Sequence, residues 1–337
     1  MRKRSPAVQL DRAIDALLVA LHSEPEAKPS LALAQVMPIA RALRDLPRPD
    51  FKAALKSDLR RRTSMNEATA PSPIPTKSSH FRRPNFPNIA PYFLVSGAPQ
   101  FVDFLVSAFQ GSERIRVPRP DGSIMHAEVA IGNSVIEIGD ANEQYPSRPM
   151  TTHLYVPDAD ATYARALEAG ATPIYAPTDD HPSGDRWGEA KDPFGNTWYI
   201  ATRRTLVSGA EGFLTVQPYL HLRNAHDMIP FVEAAFGAKA TGVHKSPDGI
   251  VRHATIEIAG ATFEIDEASD DSHATESYLH IYVPDTDALY AQALAAGAEG
   301  VNPPYTAPYG DRAAGVKDPF GNTWFLATYL GAEEAKP

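Results

Sequence analysis

The sequence predicts an α+β protein in which one unit, residues 86–204, recurs at 213–331. Two observations carry that reading. The octapeptide Lys-Asp-Pro-Phe-Gly-Asn-Thr-Trp stands at 191–198 and again, unchanged, at 317–324. Within each copy the apolar residues alternate in twos, then recur at three and four, then alternate again, and this βαβββ order occurs twice per copy.

The repeat comes first because it dictates the rest. An offset of 127 aligns "PYFLV" (91–95) with "PYLHL" (218–222) and "PDG" (120–122) with "PDG" (247–249). It also aligns "THLYVPDADATYARALEAGA" (152–171) with "LHIYVPDTDALYAQALAAGA" (279–298). One deletion reduces the offset to 126, which brings "GDR" at 184 onto "GDR" at 310 and the octapeptide onto its copy.

Ahead of the repeats, residues 1–64 carry three amphipathic helical patterns, "DRAIDALLVALHSE", "SLALAQVMPIARALRDL" and "RPDFKAALKSDLRRRT". The basic run that closes the third reads as a solvated helix end. Residues 65–85 are rich in Pro and Ser and read as a linker. In the first copy "IAPYFLV" is a strand, "APQFVDFLVSAF" a helix, and "SERIRV", "IMHAEVAI" and "SVIEIGD" are strands. The second half repeats the order with strand "THLYVP", helix "DATYARALEAG", and strands "TPIYAP", "WGEAKD" and "NTWYIAT". Residues 205–212 link the copies, and 332–337 form a tail. Asp-Pro-Phe-Gly is turn chemistry, with Pro presetting φ and Gly accepting positive φ, so the octapeptide joins two strands and is no catalytic motif.

Composition narrows the function. A net charge of −9 and a pI near 5.7 exclude a broad basic face for nucleic acid. No run reaches the roughly 18 apolar residues of a membrane span. The absence of cysteine excludes disulfides, thiolate metal sites and a cysteine nucleophile. Asp11, Arg12 and Asp15 interrupt the first apolar stretch, so no secretory leader is expected and a cytoplasmic location is.

Strand alternation selects the residues that face away from the helices. A two-residue turn at Gly132-Asn133 puts Ile131 opposite Ser134 and Glu128 opposite Glu137. Val129, Ile131, Ile136 and Ile138 then meet the helices, and His126, Glu128, Ala130, Val135 and Glu137 face away. Leu154, Val156, Trp198 and Ile200 pack inward, leaving His153, Tyr155, Tyr199 and Ala201 opposite. In the second copy Ile256, Ile258, Phe263 and Ile265 pack. His253, Thr255, Glu257, Thr262, Glu264, His280, Tyr282 and Phe325 face away. That face is aromatic for a purely solvated surface.

The duplicated βαβββ unit, "HLYVPDADATYARALEAGA" and "GDR…KDPFGNTW" resemble the vicinal oxygen chelate superfamily of glyoxalases, bleomycin-resistance proteins and dioxygenases. The runs "PYFLV…FVDFLVSAF" and "HAEVAIG" most resemble its PhnB-like branch. The resemblance covers both copies and implies tandem domains, each two βαβββ modules forming a curled mixed sheet whose concave face holds a small molecule. The two repeats would form the pseudo-dimer that single-unit members reach by association, with homodimerisation left open. Carried over by position, the superfamily's metal sites fall on Ala90, Glu137, His153 and Tyr199 in the first copy. In the second they fall on Gln217, Glu264, His280 and Phe325. Gln217, Glu264 and His280 would form the fuller set, suited to Zn, Ni, Fe or Mn. Arg186 and Arg312 of the two "GDR" runs would either reach an anionic ligand or form an ion pair with the adjacent Asp185 or Asp311 or with a neighbouring strand.

Three readings follow: a binder of small aromatic or anionic molecules, a metal-dependent lyase or isomerase acting in the second copy, and a ligand sensor using its N-terminal helices. Whether modules pair within a copy or exchange between copies is left open by the sequence.

Overall fold

The computed structural model describes residues 81–204, 214–269 and 272–331. The helical patterns of 1–64, linker residues 65–80, the inter-repeat linker 205–212 and the tail 332–337 lie outside the described residues.

Four βαβββ modules follow one another. The first holds β1 (Ile89–Val95), α1 (Ala98–Phe109), β2 (Ser112–Pro118), β3 (Ile124–Ile131) and β4 (Ser134–Asp140). The second holds β5 (Thr151–Tyr155), α2 (Ala159–Glu168), β6 (Thr172–Thr178), β7 (Arg186–Lys191) and β8 (Thr197–Thr202). The third holds β9 (Val216–Leu222), α3 (Ala225–Phe236), β10 (Lys239–Lys245), β11 (Val251–Ile258) and β12 (Ala261–Glu267). The fourth holds β13 (Tyr278–Tyr282), α4 (Thr286–Ala295), β14 (Glu299–Thr306), β15 (Asp311–Lys317) and β16 (Thr323–Tyr329).

The strands form two eight-stranded sheets, and both cross the repeat boundary. One runs β14-β15-β16-β13-β1-β4-β3-β2, the other β10-β11-β12-β9-β5-β8-β7-β6. Modules one and four therefore share a sheet, as do modules two and three. The joins are antiparallel, with Ala90 opposite His280 and His153 opposite Gln217. Packing crosses the repeats only in part: Ile89 joins the second repeat's core, Val216 the first's, and Phe86, Ala90, Val135, Tyr282 and Ala327 form a small shared cluster. Each repeat keeps its own apolar core, in which Phe93, Phe101, Leu105, Ile136, Ile138, Leu154, Trp198 and Ile200 gather in the first copy. Met228, Val232, Ile256, Phe263, Ile281, Val316 and Trp324 do so in the second. A repeat is thus the unit of packing, and a pair of half-repeats is the unit of sheet.

The octapeptide's repetition has a polar explanation beyond its turn. Asp192 is buried and accepts the backbone N–H of Phe194 (2.8 Å) and Asn196 (2.9 Å), the Asn196 amide (2.9 Å) and the Trp198 indole N–H (2.9 Å). Asp318 does the same for Phe320, Asn322 and Trp324. Gly195 and Gly321 adopt φ of 92° and 97°, a conformation that favours glycine. The recurring "VPD" supplies a helix N-cap: Asp158 accepts from Ala161 N and Asp285 from Ala288 N, both at 2.9 Å.

Contacts between the repeats are specific at the β3–β4 turn. Asn133 Oδ1 accepts from Thr215 N (2.7 Å), and Val216 N donates to Ser134 Oγ (2.8 Å). Gly132 sits there at φ 57°, and a Cβ would lie 2.1 Å from Thr215 Oγ1.

Candidate functional site

The helix-free face of each sheet forms a cup. Cup I joins β1–β4 to β13–β16, and cup II joins β9–β12 to β5–β8. The predicted registers hold, with Glu128 opposite Glu137 and Ile131 opposite Ser134.

The exchange redistributes the residues expected to act together. The predicted set Gln217, Glu264 and His280 does not meet. His280 lies in cup I, its Nδ1 3.0 Å from Glu137 Oε1. Glu264 lies in cup II, its Oε2 2.8 Å from His153 Nδ1. The reason is the register: β13 pairs with β1 and β5 with β9. By family position cup I thus holds Ala90, Glu137, His280 and Phe325, and cup II holds Gln217, Glu264, His153 and Tyr199.

Cup II is built around the His153–Glu264 couple. Tyr155 stacks on His153 at 4.2 Å between ring centroids, and its hydroxyl lies 3.2 Å from His153 Nδ1. His253 Nε2 stands 3.6 Å from Glu264 Oε1. Burial alone would raise the Glu264 carboxyl, but the charges and hydrogen bonds of His153 and His253 hold it far below the usual carboxylate range. Burial lowers His253, yet Glu264 more than offsets this and raises it above an ordinary imidazole.

A second network completes the same cup. His221 Nδ1 bonds Asp266 Oδ1 at 2.6 Å, its Nε2 meets the Tyr199 hydroxyl at 3.2 Å, and the Tyr219 hydroxyl donates to Asp266 Oδ2 at 3.2 Å. Burial and the charges of Glu189 and Asp266 push the Tyr199 phenol up, so it stays protonated as a neutral donor. Tyr199 packs against Tyr219 (5.4 Å) and Trp187 (5.3 Å), and Trp187 stacks on His181 (4.6 Å). The result is a cup walled by rings, with a few fixed polar groups at its base.

Cup I is occupied differently. Arg83, which falls in the stretch the sequence marks as linker, reaches into it. Its Nη1 lies 2.5 Å from Glu128 Oε1 and its Nη2 3.6 Å from Glu137 Oε1, while Nε donates to the Tyr282 hydroxyl at 2.6 Å. His126, Glu128 and Glu137 bring ligand atoms within 4.8 Å of one another. Burial opposes ionisation of both carboxyls. His280, His126 and Arg83 outweigh it for Glu137, and His126 and Arg83 for Glu128, so both lie below the ordinary range. Phe325 packs among Tyr92, Tyr145 and Tyr278.

Two expected contacts are corrected. Arg186 and Arg312 reach neither cup nor the adjacent aspartates. Arg186 binds Asp160 of α2 through two nitrogens and Asp179 at 2.9 Å, and Arg312 binds Asp287 of α4 at 2.6 and 2.7 Å. Each is a strand-to-helix clamp, because the N-cap turn of the helix carries an acid at that point. His126, Tyr155, Tyr199, His253, Tyr282 and Phe325 do line the cups. Sequence reasoning does not pick out Arg83, Tyr219, His221 or Asp266. The last three follow from extending the alternation of Gln217 and Glu264 along their own strands. A groove of about 730 Å³ beside Arg82, Arg114, Asn133 and Gly260 lies apart from both His–Glu couples.

The two donor sets differ in their fit to a divalent metal. At the family positions cup I offers only Glu137 and His280, with Ala90 and Phe325 at the other two, and its separate group of His126, Glu128 and Glu137 already receives the Arg83 guanidinium. Cup II offers Glu264, His153 and Gln217. His153 Nε2 and Gln217 Nε2 are buried without a partner, while Gln217 Oε1 accepts from Thr262 at 2.7 Å. Either end of that amide satisfies Thr262. Three N/O donors are therefore present in cup II, and an aromatic stands at the fourth position.

Residues 89–200 and 220–326 match the Glyoxalase/Bleomycin resistance protein/Dioxygenase superfamily, and the chain belongs to it. Among solved structures, glyoxalase I from Zea mays superposes with a TM-score of 0.55 at 15% identity, covering 71% of this chain and 92% of that one. At that identity the likeness shows the fold. An uncharacterised protein of Mycobacterium bovis is 38% identical over 125 residues, covering 34% of this chain and 82% of its own length. A second, from Mycobacterium tuberculosis, is 38% identical over 125 residues, covering 73% of its own length. Among the described residues no helix is long and apolar enough to cross a membrane.

Proposed function

We propose that the protein is a binder of small planar aromatic molecules, that cup II is the binding site, and that it is of the PhnB-like kind its "PYFLV…FVDFLVSAF" and "HAEVAIG" runs suggest. The observation that carries this is the ring of Tyr155, Tyr199, Tyr219 and Trp187 around a buried His153–Glu264 couple. Apolar walls with a few oriented polar groups are the composition of a small-molecule site. The ligand's ring would stack between these walls. Its oxygen would take a hydrogen bond from the protonated Tyr199 phenol or from His253. For the anionic half of the sequence expectation, Arg186 and Arg312 are already paired with carboxylates, whereas the Arg203 guanidinium stands 4.0 Å from the Tyr155 ring centre in cup II.

A second reading rests on the two partnerless nitrogens. Gln217, Glu264 and His153 would hold a divalent ion, which when bound would supply Lewis-acid stabilisation of substrate oxygens. In that case Tyr199 would hold a proton close to the reacting oxygen and the aromatic walls would exclude water.

Calorimetric titration of the full chain with 2-naphthol and with its saturated decahydro counterpart separates these outcomes. The binder reading expects one 2-naphthol site, weakened at least tenfold by Tyr155→Ala or Tyr199→Ala, and none for the saturated alcohol. Equal binding of both alcohols would overturn it. Near-stoichiometric transition metal in untagged protein, lost in Glu264→Ala and His153→Ala but kept in His280→Ala, would establish the metal reading.

A further inference from the structure

The two cups descend from one unit, so their differences can be read position by position. The most coherent difference concerns a charge pair. Glu128 of the first repeat and Arg83 just ahead of it correspond, at the offset of 127, to Thr255 of the second repeat and Ala210 just ahead of it. At those positions the second repeat's sequence has neither an arginine nor a carboxylate, and in cup II the guanidinium over the tyrosine corresponding to Tyr282 is that of Arg203, 4.0 Å from the Tyr155 ring centre.

Glu128 and Glu137 face each other across a strand pair with 1% and 4% of their side chains exposed. Two buried carboxylates at that separation repel unless a cation lies with them. Arg83 supplies it, through contacts at 2.5 and 3.6 Å. The planar head is held on other sides as well. Its carbon lies 4.6 Å from the Phe86 ring centre and 5.8 Å from that of Tyr282, distances at which an aromatic face attracts a cation. The Tyr282 hydroxyl takes the Nε–H and donates its own proton to Asp311 Oδ2 at 2.7 Å. The segment around it is docked too: Phe86 is 3% exposed and meets His280 and Tyr282 edge-on, and Tyr329 N donates to Phe81 O at 2.8 Å.

We propose that cup I is a guanidinium receptor filled in cis by Arg83, so that residues 81–88 act as a tethered ligand and close this cup while cup II stays available to a molecule from solution. The chemistry of the site is specific to a planar cation: the Glu128 carboxylate and a phenol receive N–H groups at the rim of the head, a second carboxylate stands 3.6 Å from it, and aromatic faces cover it. A compact ammonium would satisfy the charge and leave the fork geometry unmet.

Chemical rescue tests this on the full chain. Arg83→Ala is expected to melt several degrees below the natural protein. Millimolar methylguanidinium is expected to restore at least about 2 °C of that loss by binding the folded state. Methylammonium at equal ionic strength should restore less than half as much. The natural protein and the Arg83→Ala/Glu128→Ala double variant should show no shift. Equal rescue by both cations, rescue persisting without Glu128, or no rescue would each overturn the proposal. Should Arg83→Ala fail to fold, Glu128→Gln in the natural background provides the second readout. Trypsin cleavage of the Arg82–Arg83 bond is expected to accelerate at least tenfold as the segment loosens, and an unchanged rate would refute the tether.

Discussion

Replacing His221 by leucine would test the polar network that distinguishes cup II from cup I. The corresponding residue of the first repeat is Leu94, and the partners Tyr199 and Asp266 correspond to Phe325 and Gly139, so all three members are absent together from cup I. In His221→Leu the 2.6 Å bond to Asp266 is lost, and a charge-assisted bond of this kind contributes about 1.5–3 kcal/mol. The Tyr199 hydroxyl loses its 3.2 Å partner. Because Tyr199 is only half-buried, water recovers part of that loss, leaving roughly 1 kcal/mol. Leucine returns about 1 kcal/mol through apolar burial. The net expectation is a destabilisation of about 1.5–3 kcal/mol. Urea unfolding would show it as a lower midpoint at constant slope. Combining the change with Tyr199→Phe removes the orphaned hydroxyl, so the double variant should be about 1 kcal/mol more stable than the sum of the two single losses. Additive losses, or a single-variant loss below about 0.5 kcal/mol, would refute a coupled network.

Three further outcomes are expected. Asp192→Ala strips the acceptor from four donors, two of them side chains, and should cost about 3–5 kcal/mol by urea unfolding, with Asp318→Ala matching it; a loss under about 1 kcal/mol would show the octapeptide to be only a turn. Glu128, Glu137 and Glu264 all have folded-state pKa values below the unfolded one, so their contribution is complete above about pH 4.3 and is lost as pH falls from there through the lower folded-state values. Melting temperature should drop on that acid limb, less steeply in Glu264→Gln, and a flat profile from pH 5 to about 3 would contradict the assignment. His126 and His253 act oppositely: their raised pKa values give stability that is full below about pH 6.5 and is lost as pH rises through the folded values. Gly132→Ala forces a Cβ to within 2.1 Å of Thr215 Oγ1 at positive φ and should destabilise by about 2 kcal/mol or more, whereas Gly122→Ala, at φ 85° with open space around it, should cost only the backbone term.

Local rules read most of this molecule correctly, and their failures share one cause. Alternation places Glu137, His153, Glu264 and His280 on the concave face because side-chain period is a property of a single strand. The Glu128–Glu137 register follows because a two-residue turn fixes it. Pairing between strands of different modules has no such local determinant, so the sequence groups His280 with Gln217 and Glu264 although it belongs with Glu137. Arg83 is hidden for a related reason. Proline and serine around it indicate a segment without periodic structure, but "FRRPNFP" also carries two arginines and two phenylalanines, and only the fold shows a cup that accepts Arg83 and Phe86. Arg186 and Arg312 are legible as forks for a carboxylate; the carboxylates are Asp160 and Asp287 at the helix starts, brought near by packing of helix on sheet. Tyr219, His221 and Asp266 are within reach of the sequence, since each lies an even number of residues from Gln217 or Glu264, and His221 and Asp266 also differ from their counterparts Leu94 and Gly139 in the other repeat.

That each cup joins a half of one repeat to a half of the other can be settled by proton–proton contacts across the central strand joins. The exchanged sheets require Ala90 to neighbour His280 and His153 to neighbour Gln217, so backbone nuclear Overhauser effects should connect those two pairs in the full-length protein. Cross-peaks linking Ala90 to His153 and Gln217 to His280 instead would mean that each repeat closes on itself, and that Glu137 shares its cup with His153 and Glu264 with His280.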